Sequence, residues 1–216
     1  DLDFAALRAN GPVKALARQA DGKFLVGGNF TIIQGLSRNR IARLMEDGSV
    51  DPSFNQYAYA SAEVETIVIQ SDGKILLGGF FSMVNGAVRG RIARLNEDGS
   101  LDPTFTTGVS GFNSTVLSLV QEDDGDILAA GDFTTYRNQS RPYLIRLFTD
   151  GSPDPSYAIG AGPNSSVNTI NRQADGSIYI AGNFTQFDGT LRRYVAQLSE
   201  NGMLDASFDP GKGPNS

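Results

Sequence analysis

Five aromatic residues, Phe4, Phe54, Phe105, Tyr157 and Phe208, close near-copies of one phrase at spacings of 50, 51, 52 and 51 residues. The copies read MEDGSVDPSF (45–54), NEDGSLDPTF (96–105), FTDGSPDPSY (148–157) and, more loosely, SENGMLDASF (199–208). Self-similarity at a fixed period of this length marks a chain built from stacked supersecondary units, each unable to bury its apolar face alone. A second pair recurs in step at Asp21-Gly22, Asp72-Gly73, Asp124-Gly125 and Asp175-Gly176.

Every period holds the same succession of short apolar runs. The first is VKALARQ (13–19), VETIVIQ (64–70), VLSLVQE (116–122) and VNTINRQ (167–173). The Asp-Gly pair that follows is a strong hairpin signal, because both residues tolerate the left-handed backbone. The second run is KFLVGGNF (23–30), KILLGGFF (74–81), DILAAGDF (126–133) and SIYIAGNF (177–184). Within it Gly28, Gly79, Gly131 and Gly182 predict a bulge or a close backbone approach. The third is RIARLME (40–46), RIARLNE (91–97), YLIRLFT (143–149) and YVAQLSE (194–200). A second Asp-Gly or Asn-Gly turn leads to a short fourth strand carrying Asp-Pro, and proline, lacking an N–H, belongs at a sheet edge. No segment sustains a 3.6-residue period. The expectation is an all-β chain, a β-propeller of about four four-stranded antiparallel blades with a repeat of about 51 residues. The repeats run 1–50, 51–101, 102–153 and 154–204, with a partial fifth at 205–216. DLDF (1–4) and DASF (205–208) share one repeat position and would compete for one outer-strand slot in a four-blade ring, which favours a part of a longer array, a ring completed by further blades or an open stack over a four-blade ring with one terminus displaced.

DGKILLGGFF (72–81) followed by RIARLNEDGSLDPTF (91–105) resembles the delta-60 repeat, a β-propeller repeat found mainly in large bacterial secreted and surface proteins. The third repeat departs with Ala-Gly for Gly-Gly and Asn138 for glycine, the fourth with Gln197 for arginine and Asn201 for aspartate. The resemblance implies an extracellular repeat module and brings no catalytic residues with it.

The remaining numbers remove whole classes of function. With 40% hydrophobic residues the chain has material for a core. A net charge of −6 without a basic run would repel a nucleic-acid backbone, and no apolar stretch approaches the length of a membrane-spanning helix. The chain lacks cysteine and histidine. Disulfides, thiolate metal sites and the commonest acid/base side chain at neutral pH are therefore excluded. No catalytic residue, metal or cofactor is expected. The expected function is a non-enzymatic extracellular or cell-surface module that binds a polysaccharide or a partner protein. The alternatives are a structural spacer in a large surface, appendage or filament protein, and a carbohydrate-active enzyme working with carboxylates. Self-association through blade edges is a further expectation. The opening DLDF has neither the basic start nor the apolar stretch of a secretion signal and reads as a processed or internal start.

Three sets of residues are candidates for chemistry. Asp98 and Asp102, with siblings Asp47/Asp51 and Asp150/Asp154, have the look of a calcium loop, but Asp-Gly turns and local capping explain them with fewer demands. Arg38, Arg89, Arg141 and Arg192 each fall eight residues after an aromatic; an ion pair with the Asp that opens the fourth strand would account for them. Strand alternation places both Asp-Gly turns on one side and the variable loops on the other. Loops on a rigid scaffold carry binding residues, so Tyr57, Tyr59, Phe112, Tyr136 and Phe187 are the candidate ligand contacts, with aromatic planes suited to sugar rings or protein partners.

Overall fold

The computed structural model describes residues 7–55, 58–107, 110–211 and 213, and every regular element among them is a β-strand. The chain divides into two compact units, Asp1–Gly111 and Phe112–Ser216. The first unit holds two antiparallel three-stranded sheets: Val13–Arg18, Phe24–Gly28 and Ile41–Leu44, then Val64–Ile69, Ile75–Gly79 and Ile92–Leu95. The second holds Val116–Gln121, Ile127–Gly131 and Leu144–Leu147, then Val167–Arg172, Ile178–Gly182 and Val195–Leu198. In each sheet the middle strand is the second in sequence. The fourth strand of each blade is a single pair: Leu44 with Val50, Leu95 with Leu101, Leu147 with Pro153 and Leu198 with Leu204. The Asp-Pro that follows in the first three repeats ends the ladder there, since proline has no N–H to give it.

At the first Asp-Gly pair only the glycine is left-handed, with φ of 87° at Gly22 and 82° at Gly73. Gly22 N–H donates to the Gln19 carbonyl (3.1 Å) and Gln19 N–H to the Lys23 carbonyl (2.8 Å), a turn closed by a glycine bulge. The second-strand glycines sit where the register slips, between Val64 and Thr66 in the second repeat and at the same place in the others. A Cβ on Gly79 would stand 2.1 Å from the Glu63 carbonyl oxygen. The bulge and the close approach are thus one feature.

The stretch between second and third strands is a second hairpin, and sequence reading takes it for a plain loop. It comprises Ile32–Ile33 with Leu36–Ser37, Met83–Val84 with Ala87–Val88, Thr135–Tyr136 with Gln139–Ser140, and Gln186–Phe187 with Thr190–Leu191. Its turn residues are left-handed at both central positions: Gln34 and Gly35 (51° and 77°), Asn85 and Gly86 (50° and 79°), Arg137 and Asn138 (49° and 63°), Asp188 and Gly189 (47° and 74°). These primed turns match the twist of a hairpin. Each hairpin folds back over its own sheet instead of standing on the opposite side from the Asp-Gly turns. Gln34 Nε2 donates to the Gly48 carbonyl (2.7 Å) and Asn85 Nδ2 to the Gly99 carbonyl (2.9 Å), so the tip reaches the second Asp-Gly turn.

Each sheet therefore has a back face, covered by its hairpin, and in the first sheet of each unit the front face is covered by the next repeat. On the back of the first sheet Ile33 packs with Val26, Phe30, Ala42 and Leu44. On its front Leu25, Ile41 and Phe54 join Val64 and Ile67 of the second repeat. Contact there is close: a Cβ on Gly27 would lie 2.7 Å from Val64 and 2.9 Å from Ile67. In the second unit Leu128, Ala130 and Leu144 meet Val167 and Ile170 in the same way.

Candidate functional site

The hairpins decide the fate of the candidate aromatics. Positions Ile33, Val84, Tyr136 and Phe187 are equivalent, and all are buried at 1% exposure or less. Alternation points the inner residue of a two-residue strand at the sheet beneath it. Phe112 belongs to the segment that pins the hairpin, bridging to Tyr136 as Ala9 bridges to Ile33, Ala60 to Val84 and Pro163 to Phe187. It is 2% exposed, with its ring 4.3 Å from that of Phe133 and 4.4 Å from that of Tyr136. The Tyr136 hydroxyl donates to the Gly151 carbonyl at 2.6 Å, and burial, opposed by Arg137, raises its pKa to about 12. Phe112, Tyr136 and Phe187 are thus core residues, and the expectation that they form a ligand face is corrected. Tyr57 lies outside the described residues, as does Phe4. Tyr59 is half-buried, with its N–H on Asn85 Oδ1 and its carbonyl accepting the Asn85 N–H, both at 3.0 Å. The variable segments before each first strand are themselves tied to the hairpins. Asn113 Oδ1 accepts the N–H of Thr134 (2.9 Å) and Thr135 (3.0 Å), and Asn10, Ser61 and Asn164 do the same in their repeats.

The arginine expectation is corrected too. Arg38, Arg89, Arg141 and Arg192 each turn back on the preceding carbonyl, at 2.8, 2.8, 2.7 and 2.9 Å. The fourth-strand Asp is instead held by an arginine of the third strand. Arg43 Nε donates to Asp51 (2.8 Å), Arg94 Nε to Asp102 (2.7 Å) and Arg146 Nε to Asp154 (2.7 Å). Each guanidinium also lies 4.9 Å over the repeat aromatic, Phe54, Phe105 or Tyr157. Arg43 Nη1 reaches on to the Glu97 carbonyl of the next repeat (2.6 Å), and Arg146 Nη1 to that of Glu200 (3.3 Å). One planar fork thus clamps strand, turn and neighbouring repeat, a task that suits arginine and not lysine. Phe54 packs against the Gly99 turn, where a Cβ would meet its ring at 2.7 Å, and Tyr157 does likewise at Gly202 (2.9 Å). Burial pushes Asp51 up, but the Ser53 hydroxyl and N–H with Arg43 more than offset it and hold the carboxyl at about 2. The Asp102 oxygens are likewise engaged by Thr104 (2.8 and 2.7 Å) and Arg94. These carboxylates work as turn caps and clamp partners. Lys23 and Lys74 add a second cation, 3.6 Å from Asp51 and 3.3 Å from Asp102. In the fourth repeat those positions hold Ser177 and Gln197. Asp205 retains its Ser207 contacts (2.8 and 2.6 Å) and neither cation.

Glu122 stands where the other repeats have Gln19, Gln70 and Gln173. It is 5% exposed and neither carboxylate oxygen has a hydrogen-bond partner among the described residues. Arg146 and Arg172 approach to 3.8 and 3.9 Å. Burial outweighs Arg146 and Arg172, Asp124 and Asp126 add to it, and the pKa rises to about 7. The buried Tyr157 hydroxyl beside it is also pushed up, by burial and then by Glu122.

What remains exposed is the surface on which the repeats differ. Phe80 is 52% exposed where the other repeats carry Asn29, Asp132 and Asn183, and Arg91 lies 4.9 Å over its ring. On the outer hairpin strands Val88 (57%), Leu36 (48%) and Leu191 (54%) are exposed beside Arg89, Arg38 and Arg192. Sequence reasoning passes over Phe80 because its neighbour Phe81 is the repeat aromatic. The signal that finds it is its departure from three polar siblings.

Four like sheets, each with a folded-back hairpin and three of them with an arginine-clamped outer turn, define a β-propeller-repeat protein. Residues 19–54, 70–105, 122–157 and 173–208 match the family described as "Domain of unknown function (DUF5122) beta-propeller". The chain belongs to that family. No curated protein matches it. Among solved structures, a protein of unknown function from Bacteroides caccae is similar with a TM-score of 0.54 and 16% identity, over 94% of this chain and 70% of that one. PorZ, a surface component of the type-IX secretion system of Porphyromonas gingivalis, gives 0.54 and 11%, over 95% of this chain and 29% of that one. Virginiamycin B lyase from Staphylococcus aureus gives 0.50 and 15%, over 94% and 57%. The chain therefore spans between under a third and 70% of these proteins, and at such identities the likeness is one of fold.

Proposed function

We propose that this chain is a non-enzymatic extracellular or cell-surface module whose partner is a protein. The observation that carries the reading is the replacement of polar repeat residues by exposed apolar ones, Phe80 and Val88 above all, on a scaffold whose other positions recur. An exposed large apolar residue flanked by arginine is the composition of a recognition surface. Three of the rings expected to offer aromatic planes to a sugar are in the core, and the exposed Phe80 ring has the Arg91 guanidinium 4.9 Å over it. The extracellular placing draws support from neighbours of the same fold that include a bacterial surface component and the extracellular domain of a putative one-component system from B. thetaiotaomicron. The lyase neighbour is inactivated by replacing one histidine, and this chain has none.

The test replaces each residue by what its sibling repeats carry, Phe80→Asn and Val88→Ser. Both variants keep the wild-type melt, and the chain is screened against panels of secreted proteins and surface polysaccharides. Loss of a protein partner in both variants supports the reading. Polysaccharide binding that the variants leave intact refutes it, and no binding by the wild type leaves the spacer role.

A further inference from the structure

The seam between the third and fourth repeats, inside the second unit, is built differently from the seam between the first and second. In both, the third-strand arginine reaches across to a backbone carbonyl of the next repeat's outer turn. Arg43 Nη1 makes that contact with Glu97 at 2.6 Å, and Lys23 supplies a second cation 3.6 Å from Asp51. In the later seam Glu122 replaces the neutral Gln19 and Asp126 replaces Lys23. There the contact of Arg146 Nη1 with the Glu200 carbonyl is longer, 3.3 Å, and the same nitrogen stands 3.8 Å from Glu122 Oε2. From the fourth repeat, Arg172 Nε stands 3.9 Å from Glu122 Oε1 and is buried without a hydrogen-bond partner among the described residues. The other charged groups around Glu122 are already engaged or add to its burden. Asp154 holds Arg146 Nη2 (2.6 Å), and Asp123 holds Arg172 Nη2 (2.9 Å), with Glu200 Oε1 3.9 Å from that nitrogen. Asp124 and Asp126 disfavour a charge on Glu122, and the buried Tyr157 hydroxyl beside it keeps its proton.

We propose that Glu122 is a proton-operated latch on this seam: protonated, it leaves Arg146 on the Glu200 carbonyl, and ionised, it draws Arg146 off. A buried carboxylate needs hydrogen-bond donors, and a charge-assisted bond outcompetes a neutral carbonyl for the same N–H. The donors at hand are Arg146 Nη1 and the unpartnered Arg172 Nε, each about one ångström beyond hydrogen-bond distance. Arg146 keeps Asp154 through Nε and Nη2 in either state, so the guanidinium tilts and does not leave its site. What is given up is the contact that ties the outer turn of the fourth repeat to the third. Burial, opposed by the two arginines, puts the exchange near neutrality, at about pH 7. The first seam has no such latch, since Gln19 carries no proton to lose. The latch is independent of the protein-binding role proposed for Phe80 and Val88, and either can fail without the other.

Proton–nitrogen correlation spectra of the labelled chain, recorded from mildly acid to mildly alkaline pH, test it. The Asn201 amide shares its peptide group with the Glu200 carbonyl, so its nitrogen shift reports the Arg146 contact and should titrate with a midpoint of about 7. The Asp98 amide, which reports the Arg43 contact with Glu97, should stay flat over that range. Arg172 Nε–H should move downfield and gain protection as Glu122 ionises. Glu122→Gln, the residue of the sibling repeats, should abolish the Asn201 and Arg172 responses. Arg146→Lys keeps the charge and loses the fork, so there Asn201 should fall silent while the Glu122 carboxyl still titrates. A response that survives in Arg146→Lys is only the field of the carboxylate and overturns the latch. Across the seam Ile170 N–H donates to Ser118 Oγ at 3.1 Å. Its hydrogen exchange, between about pH 6 and about pH 8, should accelerate roughly tenfold more in the wild type than in Glu122→Gln. An Asn201 amide that stays flat in the wild type overturns the proposal, as does a response of Asn201 or Ile170 that Glu122→Gln leaves unchanged.

Discussion

Glu122→Gln should stabilise the protein, and by an amount that depends on pH. Glutamine is what the other three repeats place at this position, so shape and volume fit the site. In the folded chain the carboxyl titrates near 7, and in the unfolded chain at the ordinary value of 4.5. The folded state thus holds the proton more tightly. Below about pH 4 both states are protonated and the group contributes nothing. Between the two values the unfolded state releases its proton first, so stability falls as pH rises, and above about pH 7 the loss is complete. A difference of about 2.5 units corresponds to roughly 3 kcal/mol. Arg146 keeps Asp154 (2.6 Å) and Arg172 keeps Asp123 (2.9 Å) when Glu122 is neutralised, so the substitution strands neither cation. Thermal and urea unfolding of wild type and variant at about pH 4 and about pH 8.5 would read the effect. The two proteins should coincide at the low pH and diverge at the high pH, by about 6–12 °C for a chain of this length. Equal stability at high pH, or a less stable variant there, would show that the two arginines win over burial and refute the reasoning.

Arg94→Ala leaves the buried Asp102 with Thr104 and with Lys74 at 3.3 Å, so urea unfolding should show a loss of about 1.5–3 kcal/mol, the value of hydrogen bonds to a charged group, and the coupling to Asp102 should appear in a double-mutant cycle with Asp102→Ala. Gly79→Ala drives a Cβ to 2.1 Å from the Glu63 carbonyl and should abolish cooperative unfolding of its sheet. Gly35→Ala, with open space but φ of 77°, should lower stability by only about 1 kcal/mol. Tyr136→Ala should behave as a core deletion, losing about 3–5 kcal/mol in the same assay. Tyr136→Phe removes one of two hydrogen bonds to the Gly151 carbonyl and leaves that from Arg137 (3.0 Å), so it should lose only about 0.5–1.5 kcal/mol.

The repeat, its strands and its turns were legible in the sequence because backbone conformation is a local matter. Asp-Gly turns, slip-point glycines such as Gly79 and the edge proline each state their geometry in two or three residues. The back hairpin was legible too, since Asn85-Gly86 and Asp188-Gly189 are primed-turn pairs, but short strands buried against a sheet look like a variable loop when only composition is weighed. Which aromatics face solvent was not a local matter. Tyr136 and Phe187 read as loop aromatics, and only the fold-back of the hairpin places them with Ile33 and Val84 in the core, because burial depends on what packs above a residue and not on its neighbours in the chain. The arginine pairing failed for the same reason. Arg38 and Arg94 are equally regular in sequence, but the pleat of the third strand aims Arg94 at Asp102, eight residues on, while Arg38 ends on its own backbone. The raised pKa of Glu122 likewise needs burial together with two arginines from different strands, which the tertiary structure alone brings together.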